Sequence, residues 1–216
     1  MAEETHCPLC RSRDSISTYF EDARRPYVVC GCCGLVFVPP AWRLDRNAEL
    51  AEYRLHENDP LDAGYRQFLS RLTEPLLENL PRGASGLDFG CGEGPALAAM
   101  LRERGLSVAL FDSFFVPDAS VFLECYDFVT ATEVVEHLHC PGAELERLWR
   151  TLRPGGYLAL MTKLVRDREA FANWHYKNDP THVCFFSRET FHWWGEQHGV
   201  TPEFIGADVI IFKRPG

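Results

Sequence analysis

The sequence lacks any apolar run long enough to span a membrane, for which about 18–20 consecutive residues are needed. It also lacks the basic start and apolar core of a signal peptide, because residues 1–4 include two glutamates. Basic residues are too few to balance the acidic ones: 22 Lys and Arg against 31 Asp and Glu leave a formal net charge of −9. We therefore expect a cytoplasmic protein without a membrane partner.

The acidic balance also argues against a nucleic-acid partner, since binding to phosphates demands a basic surface. The N-terminal segment is locally basic, however, through Arg11, Arg13, Arg24 and Arg25. A nucleic acid is thus disfavoured but left open, and a small-molecule acceptor is the first expectation. A hydrophobic content of 46% over 216 residues suffices for one α/β domain and a small appendage.

The central feature is the stretch 86–95, in which a short apolar run is followed by glycines at three alternate positions. The run predicts a buried strand, and Pro95 opens an apolar pattern of helical period that ends at Gly105. Glycines lack a Cβ and a helix start offers unpaired N–H groups, so this arrangement lets the backbone approach a nucleotide-like ligand closely. A dinucleotide fingerprint would need its third glycine at position 95, where proline stands.

With Asp88 ahead of Gly90, Gly92 and Gly94, the stretch resembles motif I of the class I S-adenosylmethionine (SAM) methyltransferases. The resemblance implies an α/β, Rossmann-like fold with a seven-stranded mixed sheet over 82–216, and SAM as the cofactor. The residues that it implies in cofactor binding are Asp88, Gly90, Cys91, Gly92, Gly94, Asp112, Phe114, Thr132 and Glu133.

Later segments resemble further landmarks of that family in the expected order. An apolar run at 108–111 ends in Asp112, which the resemblance places on the ribose hydroxyls. The segments 126–133 and 152–160 resemble the fourth strand and the turn into the fifth strand. A terminal antiparallel hairpin is predicted within 201–212.

Residues 41–81 are predicted to form a helical linker or lid. A charged, helix-prone segment at 42–58 is followed by Asp59, which is expected to cap a helix that starts at Pro60. In related methyltransferases the segment before the first strand folds over the SAM pocket, and a solvated connection between helices is the alternative. The lid candidates are Tyr53, His56 and Asn58.

The connection between the second and fourth predicted strands is too short for a helix plus a third strand. We therefore predict a loop at 113–117 in place of the helix, and a short edge strand at 120–123. Part of the family's adenine pocket is normally built here, so Phe114 or Phe115 is expected to contact the adenine.

Nine cysteines, an odd number, favour a reducing compartment over a disulfide framework. Cys7 with Cys10, and Cys30 with Cys33, have the spacing of thiolate ligands around a tetrahedral Zn²⁺ ion. Cys32 is the spare thiol, although Cys32 and Cys33 can exchange roles. Four unligated thiols are the alternative.

The β-rich runs at 27–29 and 35–38 predict ribbon strands beside the second cysteine pair. Residues 1–40 are thus predicted to form a zinc ribbon, in which the structural metal compensates for a small core. This arrangement resembles the ribbon heads fused to many bacterial class I methyltransferases.

Glu133, Glu136 and His137 stand at i, i+3 and i+4, so on a helical turn they would share one face and form half of a divalent-metal site. His182 precedes Ser187, a predicted helix cap, by five residues. This set resembles the small-RNA 3′-terminal 2′-O-methyltransferases and the ubiquinone-pathway O-methyltransferases. The resemblance implies that these three residues and His182 hold a catalytic divalent cation, Mg²⁺ or Mn²⁺; capping and core roles are the alternative.

The predicted function is SAM-dependent O-methylation of a small molecule with adjacent hydroxyls, assisted by the cation. Metal-free transfer to nitrogen, sulfur or carbon, RNA 2′-O-methylation and a non-catalytic SAM-binding module are the alternatives. His175, in the long loop 171–186, is a further ligand or general-base candidate. The candidate catalytic residues are His182, His137 and His175.

Overall fold

A computed structural model describes residues 6–55 and 59–216. The strands are β1 (Ile16–Glu21), β2 (Pro26–Cys30), β3 (Val36–Phe37), β4 (Ser85–Phe89), β5 (Ser107–Phe111), β6 (Tyr126–Thr132), β7 (Leu152–Met161), β8 (Cys184–Phe185), β9 (Glu203–Ile205) and β10 (Val209–Lys213). The α-helices are α1 (Arg46–Tyr53), α2 (Ala63–Asn79), α3 (Ala96–Glu103), α4 (Pro141–Arg150), α5 (Arg168–Ala172) and α6 (Arg188–Gln197). Within the described part of the chain, no helix has both the length and the apolar character that crossing a membrane requires.

The larger sheet has the strand order β5-β4-β6-β7-β10-β9. Strands β5, β4, β6 and β7 are parallel neighbours, whereas β10 is antiparallel to both β7 and β9. The predicted α/β, mixed-sheet fold and the C-terminal hairpin are therefore confirmed. Parallel strands place their carboxyl ends at one edge of the sheet, where ligands of such folds bind.

This sheet has six strands among the described residues, so the expectation of seven is wrong. The predicted edge strand at 120–123 is also wrong, because Ala119–Leu123 forms a 3₁₀ helix. The reason is chain length: the connection from β5 to β6 has no room for both a helix and a paired strand. Strand β5 is consequently the last strand on its side of the sheet.

The smaller sheet has the order β1-β2-β3-β8 and contains the ribbon strands predicted at 27–29 and 35–38. Its fourth strand comes from the far end of the chain: Val36 pairs with Phe185, and Phe37 pairs with Cys184. Buried side chains of the ribbon and of the larger sheet belong to one continuous hydrophobic cluster. The two sheets therefore share a core.

Helix α2 begins later than predicted. Asp62, not Asp59, is the N-cap, and its carboxylate accepts a hydrogen bond from the Tyr65 amide. Leu69, Leu72 and Leu76 are buried on one face of α2, which packs against α3 and β7. Burial of this stripe fixes α2 on the sheet and places the preceding segment above the carboxyl ends of the strands.

Candidate active site

A cavity of about 880 Å³ lies at the carboxyl ends of β4, β5 and β6. Its floor is the glycine loop after β4, in which Gly90 and Gly92 have positive φ angles of 73° and 65°. A Cβ on Gly90 would lie 2.4 Å from a Val134 methyl group, so the loop also requires glycine there for space. Gly90, Gly92 and Gly94 all line the cavity.

Asp112, just after β5, lines the same cavity. Its carboxylate accepts hydrogen bonds from the backbone amides of Gly92 (3.1 Å), Phe114 (2.8 Å) and Phe115 (3.1 Å). These bonds join the glycine loop to the short connection after β5. Phe114 and Phe115, the two candidates for contact with the adenine, also line the cavity.

Three of the residues implied in cofactor binding are absent from the cavity lining among the described residues. Asp88 is buried beneath the loop, where its carboxylate accepts a hydrogen bond of 2.9 Å from Thr130. Burial raises the pKa of Asp88 to about 7. Cys91 is buried, and Thr132 is partly buried at the end of β6. The sequence motif therefore includes residues that support the loop as well as residues that face the cavity.

Helix α1 covers the cavity. The Arg46 guanidinium lies 4.2 Å from the Phe114 ring centroid and donates to the Ser113 carbonyl at 2.7 Å. The Glu49 carboxylate is 2.6 Å from Nε2 of His139. Sequence analysis missed Arg46, Glu49 and His139; Asp45, which caps α1, was the available signal.

The lid prediction concerned three residues. The Tyr53 ring lies 5.3 Å from Phe114 and 5.4 Å from His137, centroid to centroid, and lines the cavity. His56 and Asn58 lie outside the described residues. Tyr53 thus contacts both the predicted adenine side and the predicted metal side of the cavity.

Arg147 on α4 is a further cavity residue that sequence analysis missed. Its guanidinium lies 3.7 Å from the Phe122 ring centroid and 5.5 Å from that of Phe111, and it is paired with Glu144. An acid and a base three apart on a helix resemble an ordinary surface pair, so the sequence carried little signal.

A cluster of potential metal ligands adjoins the cavity. Glu136, His137 and His182 each offer a ligand atom, and these atoms all lie within 4.8 Å of one another. Glu136 and His182 are buried, and His137 lines the cavity. A carboxylate and two imidazoles suit Mn²⁺, Fe²⁺ or Zn²⁺ better than Mg²⁺, which prefers oxygen ligands.

Glu133 lies outside that group of three, and the helical face predicted for it is wrong. The backbone at Glu133 has a φ of 53°, and the helix that follows is a single 3₁₀ turn, Val135–His137. Glu133 instead lines the cavity, and its carboxylate accepts a 3.4 Å hydrogen bond from the Tyr176 hydroxyl. Glu133 thus lies between the cavity and the cluster, where its carboxylate can face a cavity ligand or a cation in the cluster.

Burial strongly shifts the pKa values of Glu136, in the cluster, and of the neighbouring Glu133. Burial raises the pKa of Glu136 to about 8, with Glu133 adding repulsion, and burial raises the pKa of Glu133 to about 7. The Tyr176 hydroxyl donates a hydrogen bond to Glu136. Within residues 6–55 and 59–216, Oε1 of Glu133 and Oε2 of Glu136 are buried without a hydrogen-bond partner. Buried carboxylate oxygens of this kind fit a cation site.

The two remaining histidine predictions differ in outcome. Nδ1 of His182 lies 2.7 Å from the Tyr176 carbonyl oxygen, so as a donor it directs Nε2 away from that carbonyl. His175 is exposed and its ring nitrogen lies 3.2 Å from Nζ of Lys163. The structure thus brings His182 into the cluster and leaves His175 out of it.

The four predicted zinc ligands are also brought together. The Sγ atoms of Cys7 and Cys33 are 3.5 Å apart, as are those of Cys10 and Cys30, and all four lie within 4.8 Å of one another. Cys32 is exposed and stands apart from this group. Four thiols at this spacing fit a tetrahedral zinc ion.

Comparison with known proteins identifies the family of the chain. A family model described as a methyltransferase domain matches residues 61–203. Ubiquinone biosynthesis O-methyltransferases from Pseudomonas savastanoi pv. phaseolicola and Pseudomonas syringae pv. syringae are each 32% identical over 92 residues, which is 42% of this chain. The match spans 39% of the length of each of these relatives.

A solved structure resembles most of the chain. It is the 1,6-didemethyltoxoflavin-N1-methyltransferase of Burkholderia thailandensis, with bound 1,6-didemethyltoxoflavin and S-adenosylhomocysteine. The TM-score is 0.58 at 17% identity, and the likeness covers 93% of this chain and 100% of that chain. At this identity the likeness extends to the fold.

Proposed function

We propose that this chain, which belongs to the methyltransferase-domain family, transfers a methyl group from SAM to an oxygen of a small molecule with two adjacent hydroxyls, assisted by a divalent cation. The observation that carries the proposal is the convergence of Glu136, His137 and His182 beside the cavity. The O-methyltransferase names of the curated relatives support the choice of oxygen.

In this proposal the glycine loop and Asp112 hold SAM. Gly90, Gly92 and Gly94 offer a backbone that no Cβ obstructs, and the Asp112 carboxylate accepts hydrogen bonds from the ribose hydroxyls. Phe114 supplies an apolar surface for the adenine, and the Arg46 guanidinium packs on the Phe114 ring. The protein of similar fold whose structure contains bound S-adenosylhomocysteine supports the same class of cofactor.

We assign the cation to Glu136, His137 and His182, with Glu133 as the fourth candidate. When bound, a divalent cation lowers the pKa of a hydroxyl and orients it. The protein side chains have the remaining tasks: the Tyr176 hydroxyl orients the Glu136 carboxylate, and α1 excludes water. Holding acceptor and donor in line supplies much of the rate, since orientation alone is worth on the order of 7–11 kcal/mol.

The ribbon is proposed to hold a structural Zn²⁺ ion through Cys7, Cys10, Cys30 and Cys33. Soft thiolate ligands favour zinc, whereas the mixed carboxylate and imidazole set suits a harder cation such as Mn²⁺. The two sites therefore differ in chemistry, and a chelator of moderate strength should empty the second before the first.

The test is methyl transfer to a panel of catechol-like and other vicinal diols, measured as S-adenosylhomocysteine formation. Activity should disappear on chelation with the ribbon zinc still bound, and return with Mg²⁺ or Mn²⁺. His182→Ala should abolish turnover with nearly unchanged SAM affinity, because it lies on the acceptor side.

His175→Ala is the matched control, since this histidine is exposed and outside the cluster. It should retain activity within about twofold, the usual range for a surface substitution. Full activity in the chelated, zinc-loaded enzyme would contradict the metal mechanism and leave His182 as a general base or a structural residue.

A further inference from the structure

The turn between β1 and β2 of the ribbon lies against the loop that carries His182. Arg25, at the end of this turn, is only 7% exposed, although arginine side chains are normally found at the surface. Its guanidinium contacts a segment more than 150 positions away in the sequence. A buried arginine needs a specific set of acceptors for its five N–H donors.

Those acceptors are main-chain carbonyl oxygens of the loop. The guanidinium donates to the carbonyls of Lys177 (3.0 Å), Asp179 (2.7 Å), Pro180 (2.9 Å) and His182 (2.9 Å). A planar fork of N–H donors can engage such a converging set, which a flexible ammonium group cannot match. The loop backbone is therefore wrapped around one side chain of the ribbon.

Neighbouring ribbon residues bind the same loop. The Tyr27 hydroxyl donates to the Lys177 carbonyl at 3.1 Å, and Tyr27 also lies 3.2 Å from Nε of Arg25. The Lys177 ammonium is buried and donates to the Asp22 carboxylate at 2.8 Å. Charge and backbone contacts thus hold the loop together, and both come from the β1–β2 hairpin.

The loop is held from the opposite side by the cation cluster itself. Nδ1 of His182 lies 2.7 Å from the Tyr176 carbonyl, and the Val183 amide donates to the Glu136 carbonyl at 2.8 Å. The backbone of His182 is consequently fixed by Arg25 on one side and by the Glu136 segment on the other. Small shifts of this backbone would move the His182 imidazole relative to Glu136 and His137.

We propose that Arg25 is a positioning residue for the cation site: it fixes the 177–182 loop so that His182 stays within ligand distance of Glu136 and His137. This inference rests on the proposed function, because it requires these three residues to bind a cation. It assigns the ribbon hairpin to the framework of the active site. Outer contacts that orient a metal ligand are typically worth about 10–100-fold in metal affinity.

The experiment uses the zinc-loaded full chain titrated with Mn²⁺, with free Mn²⁺ followed by electron paramagnetic resonance. Arg25→Met should weaken Mn²⁺ binding by about 10–100-fold, and Arg25→Lys should weaken it less, since lysine retains charge without the fork. SAM affinity and zinc content should stay at wild-type values. Those two readouts separate a positioning role from general damage to the fold.

Arg24→Met is the matched control in the same turn. Arg24 has a half-exposed side chain and bonds to the side chains of Asp22 and Asn178 rather than to the loop backbone. The Mn²⁺ affinity of the Arg24→Met variant should remain within about twofold of wild type. If Arg25→Met does not fold, Arg25→Lys carries the test alone.

Wild-type Mn²⁺ affinity in a folded, zinc-loaded Arg25→Met variant would overturn the positioning role while leaving the cation site intact. Where Arg25→Met does not fold, the same result in Arg25→Lys would overturn it. Absence of Mn²⁺ binding in the wild-type chain would overturn the cation site itself and this inference with it. The two failures are therefore distinguishable in a single series of titrations.

Discussion

The hydroxyl of Tyr176 donates a hydrogen bond to the carboxylate of Glu136 in the buried part of the site. The same tyrosine accepts from His182 through its backbone carbonyl. One residue thus orients two proposed ligands of different chemistry. A phenylalanine at position 176 would remove the hydroxyl contact to Glu136 and keep the carbonyl contact to His182, so the two contacts can be tested separately.

Tyr176→Phe should lower the affinity for Mn²⁺ by about 10-fold or more, because it removes a donor that orients the Glu136 carboxylate and favours its ionised form. Isothermal titration calorimetry of the zinc-loaded protein measures the effect. SAM affinity serves as the internal control and should not change. Equal Mn²⁺ affinities for variant and wild type would show that Glu136 needs no such partner.

Purified protein should contain about one zinc per chain, bound by four sulfurs. Cys33→Ser should lose the metal and much of the thermal stability, since the ribbon has little core of its own. Cys32→Ser is the matched control, because Cys32 is exposed and lies outside the group of four. Elemental analysis measures the zinc content of each variant, and thermal unfolding measures its stability. Loss of zinc from the Cys32 variant would mean that Cys32 and Cys33 exchange roles.

Asp112→Ala should weaken SAM binding by about 2–3 kcal/mol, the magnitude for a hydrogen bond to a charged group. The carboxylate also accepts from three backbone amides, so the glycine loop should lose order in the variant. Asp112→Asn, which retains one acceptor oxygen, should lose less. Calorimetric titration with SAM checks both, and an unchanged affinity in the alanine variant would place the ribose elsewhere.

The raised pKa of Asp88 predicts a pH-dependent stability. Burial raises this pKa to about 7, against the Thr130 hydrogen bond and the Arg102 charge, which favour ionisation. The folded chain keeps the Asp88 proton up to about pH 7, whereas the unfolded chain releases it near pH 4. The contribution of this proton to the free energy of unfolding is therefore complete below pH 4 and is lost as the pH rises through about 7.

Asp88→Asn cannot ionise, so the free energy of unfolding of the variant relative to wild type should rise with pH. The slope should approach about 1.4 kcal/mol per pH unit between pH 4 and 7. Urea denaturation of both proteins measures it. Asp14→Asn, the same substitution at an exposed carboxylate, is the control. A flat difference for Asp88→Asn would mean that this carboxyl group is ionised throughout.

The sequence was sufficient for features that depend on local patterns. The glycine positions, the strand that ends at Asp112 and the β10 hairpin follow from steric needs and alternation that a short window contains. The sequence was insufficient where the local preference of a short segment conflicts with the room that the fold leaves for it. Residues 119–123 carry apolar side chains suited to a strand, but no room remains for a partner, and they form a 3₁₀ helix.

The candidate site was predicted only in part, because some of its contacts depend on the path of the backbone rather than on local sequence patterns. A helical periodicity placed Glu133 with Glu136, whereas the chain leaves β6 through a left-handed residue that redirects it. Arg25 was missed because its acceptors are backbone carbonyls of a distant loop, which no residue pattern encodes. Side-chain chemistry was thus readable from the sequence, and long-range backbone recognition was not.

Helix α1 lines the cavity through residues outside the proposed cation set: the Arg46 guanidinium lies on the Phe114 ring, and Glu49 pairs with His139. In the proposed cycle α1 acts as a lid, so these contacts would form while water is excluded and would break when the nucleoside product leaves. Substitutions in this eight-residue helix would then change the rate of product release without changing any group that reacts.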